Sequence, residues 1–69
     1  MSGGFDGTKL KKVRLAKGIR QNALAKAVNI SKSYLCDLEK GRASPAIGTL
    51  MRLASALGEK DISIFLSNR

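Results

Sequence analysis

Apolar residues recur along this chain at helical spacing from Thr8 almost to its end, and glycines or cap-forming residues cut the pattern into short pieces. Thr8 can cap a first helix over 9–17 that Gly18 terminates, with Leu10, Val13 and the stem of Lys17 on one face. A second helix is expected over 21–28, with Leu24, Ala25 and Val28 as its buried stripe. Asn29 ends it, because asparagine accepts the left-handed backbone that closes a helix. Ile30 follows as an apolar turn residue, and Ser31 caps a third helix over 32–40 that Gly41 stops. Ser44 and Pro45 announce a fourth helix, since proline is favoured in a first turn. Its expected stripe is Ile47, Leu50, Met51, Ala54 and Leu57, with Leu53 on the flank, and Gly58 closes it. Asp61 can cap a short fifth helix from 62 to about 67. Residues 1–7 are Gly-rich and read as a flexible segment, with Phe5 available to dock on the core. No strand-period alternation, repeat or linker interrupts 8–69, so the pattern predicts one compact all-α domain of five short helices.

Length and cysteine content narrow the class. A chain of 69 residues forms one domain with a modest core. The single cysteine, Cys36, excludes an intrachain disulfide, and one Cys without any His argues against a closed zinc site. Stability must then come from helix packing, helped by self-association. No apolar run approaches the roughly 20 residues of a membrane span. The first residues lack the basic and apolar regions of a secretory signal, and a lone thiol fits a reducing interior, so the chain reads as cytoplasmic. With no His, no carboxylate pair at useful spacing and no phosphate-binding glycine loop, nothing points to an enzyme, a metal or a cofactor.

Charge adds a partner. Thirteen Lys and Arg against five acids give a net charge of +8, which suits a polyanion. Residues 21–40 form the unit that would engage it: two short helices, a tight Asn29-Ile30-Ser31 turn, and small Ala25 where crossing helices approach. Leu24, Val28, Ile30, Leu35 and Leu38 make the shared seam. With Leu35 and Leu38 inward, the opposite face of the third helix carries Ser33, Asp37 and Lys40, with Cys36 beside them and Lys32 in the first turn. Short polar side chains let a helix approach base edges in a major groove, and lysine can donate to guanine. The acid Asp37 fits such a face if it accepts from a cytosine amino group or excludes unwanted bases.

The ordered set of motifs resembles the lambda-repressor-like helix-turn-helix family, of Cro/C1 or XRE type. It is carried by Leu10-Lys11-Lys12-Val13-Arg14, Gln21 with Leu24-Ala25, Val28-Asn29-Ile30-Ser31, Leu35 with Leu38-Glu39-Lys40-Gly41, Ser44-Pro45, and Leu53-Ala54 with Ala56-Leu57-Gly58. The likeness spans about 9–66. It implies base reading by Lys32, Ser33, Cys36 and Asp37. Phosphate contacts are implied for Gln21, which also buttresses the reading helix, and for Lys40 and Arg42. It further implies an ion pair between Arg14 and Glu39. Helical spacing independently puts both residues at the edges of their apolar stripes, where a pair would be partly buried and would fix helix order more than add stability. Three positions depart from the family pattern. Arg20 stands where a Ser or Thr cap is usual, Asn29 replaces the turn glycine, and Gly48 stands where an acid often sits.

Several features admit a plainer reading. The cluster Lys9, Lys11, Lys12, Arg14, Lys17 and Arg20 contains no acid and is either a solvated face or a set of phosphate contacts, a role that suits Lys17 and Arg20 better than Lys11. Oxidation of Cys36 would add bulk at a DNA face, but a small residue tolerated in a groove explains it as well. Tyr34 either stacks on the nucleic acid or covers the core edge. Ile62, Ile64, Phe65 and Leu66 exceed what one short surface helix buries, and the surplus reads as a homodimer interface. Such a dimer would bind half-sites roughly 34 Å apart on a near-palindromic duplex operator. The function expected is therefore a transcriptional regulator, most simply a repressor, with a protein-interaction module or an antitoxin of the same fold as the alternative.

Overall fold

The computed structural model describes residues 4–66 and is all-helical apart from one isolated bridge. Four α-helices, α1 (Gly7–Ala16), α2 (Gln21–Ala27), α3 (Lys32–Glu39) and α4 (Ile47–Ala56), precede a single 3₁₀ turn, Ile62–Phe65. The short fifth helix expected is thus reduced to that turn, and the part of it assigned to residue 67 lies outside the described residues. Asp61 does cap it, its Oδ1 accepting from the Ser63 N–H at 2.9 Å.

The helix ends follow from local chemistry. The Ser31 hydroxyl accepts from the Tyr34 N–H at 3.0 Å and starts α3. Asn29 takes φ 62°, in the left-handed region that asparagine tolerates better than other non-glycine residues, and this turns the chain out of α2. The start of α1 corrects the expectation. Asp6, not Thr8, is the cap, its Oδ1 accepting from the Thr8 N–H at 3.0 Å, and the helix begins at Gly7. Aspartate outranks threonine as a cap, and the tertiary setting favours it. Pro45 lies before the α4 cap, Ala46, rather than in the first turn, and Ala46 supplies no side-chain acceptor.

One core unites the elements: Leu10 of α1, Leu24, Ala25 and Val28 around α2, Leu35 and Leu38 of α3, Leu50, Leu53, Ala54 and Leu57 around α4, and Phe65. In α4 the buried face is rotated from the expected stripe. Leu53 is fully buried, whereas Ile47 and Met51 are 63% and 58% exposed. The partners of α4 are α2 and the 3₁₀ turn, which centre its inner face on Leu50, Leu53 and Leu57. At 100° per residue Ile47 and Met51 fall to one side of that centre. Lys17 is likewise an exposed C-cap residue, not part of the buried face of α1.

The segment expected to be flexible is pinned over residues 5–7; residues 1–3 lie outside the described residues. Phe5 bridges Leu66 in antiparallel fashion, the Asp6 N–H donates to the Phe65 carbonyl at 2.7 Å, and Lys9 Nζ donates to the Leu66 carbonyl at 2.7 Å. Gly7 rests directly on the end of α3, where a Cβ would collide with the Leu38 carbonyl oxygen. Only glycine allows that approach. Both ends of the described chain thereby clamp α1 against α3, which holds α3 by its inner side.

Candidate nucleic-acid interface

The corner between α2 and α3 is rigid for identifiable reasons. The Ile30 N–H donates to the Ala25 carbonyl at 2.9 Å, closing the turn, and buried Ala25 allows the close crossing. Leu35 and Leu38 go inward with no exposure, which fixes the rotation of α3 about its axis. The opposite face is open. Lys32 and Ser33 are exposed, Cys36 and Asp37 half-buried, and these four line a shallow depression of about 270 Å³ together with Gln21. Residues from the start of α2 and the outer side of α3 therefore meet at one place on the surface.

Behind this face lies a charged hub. Arg14 Nε donates to Glu39 Oε2 at 2.6 Å and its Nη2 to Oε1 at 3.1 Å, a two-point contact in the interior. Arg14 Nη1 donates to the Ile19 carbonyl at 2.9 Å, and Gln21 Nε2 donates to Glu39 Oε1 at 3.0 Å. One carboxylate thus ties the first helix, the residues entering α2 and the end of α3 together. Every buried side-chain nitrogen and oxygen described has a partner, so the hub contains no unsatisfied group. Gln21 belongs to both regions, because its amide nitrogen braces Glu39 while its side chain lines the depression.

The basic residues divide by surroundings. Arg20 is the N-cap of α2, exposed and without a side-chain capping bond. Lys40 and Arg42 are exposed just past α3, and the Arg42 N–H donates to the Asp37 carbonyl at 2.9 Å, which fixes the start of the following loop. Lys17 is brought elsewhere: its Nζ lies 3.3 Å from Glu59 Oε2 in the turn after α4. Tyr34 packs against the core while remaining partly accessible.

Of the C-terminal apolar residues expected at a subunit interface, the structure fully encloses only Phe65. Phe65 is fully buried in its own subunit, and Ile62, Ile64 and Leu66 pack partly against the same core. A domain this small fills its core with residues from its last turn, so Phe65 cannot serve an interface between subunits. The large apolar side chains left open are Leu15 on α1 and, one turn apart on α4, the pair Ile47 and Met51. Sequence alone missed this pair because it counted both as core.

Comparison with known proteins agrees with the fold. A family model described as helix-turn-helix matches residues 10–65. The chain is 40% identical over 52 residues to the immunity repressor protein of Bacillus phage phi105, covering 75% of this chain but 36% of that repressor's length. It is similar in structure to the restriction-modification controller protein C.AhdI from Aeromonas hydrophila, with a TM-score of 0.80, 30% identity, and coverage of 86% of this chain and 89% of the other. It is also similar to the biofilm master regulator SinR in complex with DNA, with a TM-score of 0.74, 28% identity, and coverage of 81% and 89%.

Proposed function

The chain belongs to the lambda-repressor-like helix-turn-helix family, and on that premise we propose that it regulates transcription, most simply as a repressor, by binding a specific duplex DNA operator through the outer face of α3. The observation that carries this reading is the convergence of Gln21, Lys32, Ser33, Cys36 and Asp37 on one open depression, backed by the Arg14–Glu39 hub. Lys32, Ser33, Cys36 and Asp37 read base edges in the major groove. Arg20, Gln21, Lys40 and Arg42 contact phosphates on either side, and the net charge of +8 supplies the general attraction. Lys17 contributes less, because Glu59 offsets its charge. A protein that binds such an operator works in the cytoplasm.

A homodimer on a near-palindromic site completes the proposal. Ile47 and Met51 supply its apolar contact, with the partly accessible Ile62, Ile64 and Leu66 available to add to it. Selection from a random duplex library, followed by a salt titration on the winning sequence, tests both parts. A two-fold symmetric consensus is expected, with affinity falling steeply as salt rises. Met51→Glu is expected to give a monomer in sedimentation and to lose cooperative binding of the two half-sites. Recovery of no consensus, with weak binding indifferent to salt, contradicts the DNA reading. A native chain that stays monomeric at high concentration contradicts the dimer.

A further inference from the structure

We propose that Asp37 selects a cytosine at one position of each half-site by accepting a hydrogen bond from the cytosine amino group in the major groove. This rests on the DNA reading above and names one of the bases that the site chooses. The argument starts from the five acids of the chain. Four have a partner. Asp6 caps α1, Glu39 takes Arg14 and Gln21, Glu59 faces Lys17, and Asp61 caps the 3₁₀ turn. Among the described residues only the Asp37 carboxylate makes neither a hydrogen bond nor an ion pair. This holds in a protein with a large excess of cations, including exposed Lys32 on the same helix and Lys40 and Arg42 just beyond it.

Its oxygens are not sealed inside. Asp37 is half-buried, and no buried side-chain oxygen in the described structure lacks a partner, so the unbonded carboxylate opens to solvent along the depression it lines. The Gln21 amide lines the same depression, but its Nε2 donates to Glu39 and makes no bond to Asp37. An unpaired carboxylate on a face that meets polyphosphate weakens binding everywhere unless the DNA supplies a donor. In the major groove only cytosine and adenine offer N–H groups. Adenine places its N7 acceptor beside the amino group, where it repels the second carboxylate oxygen. Guanine shows two acceptors and thymine an acceptor and a methyl group. Cytosine alone presents an amino group with no acceptor beside it on its own edge. Guanine and thymine leave a desolvated carboxylate without a donor, and adenine sets an acceptor against it, which is how a site rejects analogues most strongly.

The test uses the full chain and the operator recovered from the random library. Each consensus cytosine is replaced in turn by pyrimidin-2-one, which lacks the amino group. At one position per half-site, affinity is expected to fall about tenfold, the discrimination typical of one good base contact. Asp37→Asn is expected to switch that position to adenine, whose N6 and N7 match a carboxamide, and to leave the flanking letters unchanged. Asp37→Ala is expected to accept all four bases there. Thermal melting of both variants alongside the native chain separates recognition from folding. An operator without cytosine, amino-group removal that never weakens binding, or a consensus unmoved by both substitutions overturns the assignment while leaving the DNA reading standing. Failure of the native chain to recover any consensus removes both.

Discussion

Glu39 and Asp37 are two carboxylates two positions apart on one helix, and their surroundings are opposite. Glu39, on the inner side of α3, is buried and receives three donated hydrogen bonds, two from Arg14 and one from Gln21. Asp37, on the outer side, receives none among the described residues and faces the depression. The helical period alone produces this split, since a displacement of two residues turns a side chain through roughly 200°. The inner carboxylate has its partners supplied by the fold. The outer one is left to solvent or to whatever binds in the depression. On the proposed DNA reading, stability and recognition are thereby separated on a helix of eight residues.

Removing the inner carboxylate breaks that contrast most severely. Glu39→Ala leaves the Arg14 guanidinium buried with the Ile19 carbonyl as its remaining partner, and frees Gln21. Breaking a buried pair in this way costs about 3–5 kcal/mol, a large part of the stability of any small domain. Urea and thermal denaturation are expected to show the loss, with base preference unchanged in whatever fraction remains folded. A Glu39→Ala protein that melts like the native chain but prefers a different operator would reverse the roles given to the two faces.

A smaller loss is expected where no charge is involved. Gly7→Ala places a methyl group against the Leu38 carbonyl, so α1 must move away from the end of α3. Overpacking of this kind costs about 1–3 kcal/mol. Because α1 carries Arg14, the same displacement loosens the contact with Glu39. Denaturation measures the first effect, and a double-mutant cycle with Glu39→Ala measures the second. Additive losses would show that the close approach and the ion pair act independently.

The two sides of α3 were not equally legible in the amino-acid sequence. The α2–α3 corner follows from local signals: Ser31 as a cap, Asn29 as a left-handed terminator, and Leu24, Val28, Leu35 and Leu38 at helical spacing. The outward position of Ser33, Cys36 and Asp37 then follows from the period. The sequence leaves open which apolar residues each element turns inward, because that depends on partners far along the chain. Ile47 and Met51 match a core stripe by spacing, but the placement of α2 and the 3₁₀ turn leaves them outside. Phe65 reads as surplus until the core is seen to need it. Asp6 and Gly7 sit in a stretch whose composition suggests freedom, and their fixed positions depend on contacts with Phe65 and Leu38. The match of Lys17 to Glu59 joins two turns that no local pattern connects.

The weakest effects are expected among the exposed cations, and there the contrast between satisfied and unsatisfied charge can be measured most finely. Arg42 is exposed and makes no side-chain hydrogen bond or ion pair among the described residues, whereas Lys17 lies 3.3 Å from Glu59. Neither Arg42→Ala nor Lys17→Ala should change stability by more than about 0.5 kcal/mol, as befits surface sites. Their effects on DNA affinity should differ. A cation that neutralises one phosphate contributes about one unit to the slope of log affinity against log salt, whatever the base sequence. Arg42→Ala is expected to reduce the slope by about that unit, equally on operator and random duplex, because phosphates carry no sequence information. Lys17→Ala is expected to reduce it by less, since Glu59 already offsets the charge. Equal reductions for the two variants would mean that the Lys17–Glu59 contact opens when DNA arrives. A loss confined to the operator in Arg42→Ala would move Arg42 from the phosphates to the bases.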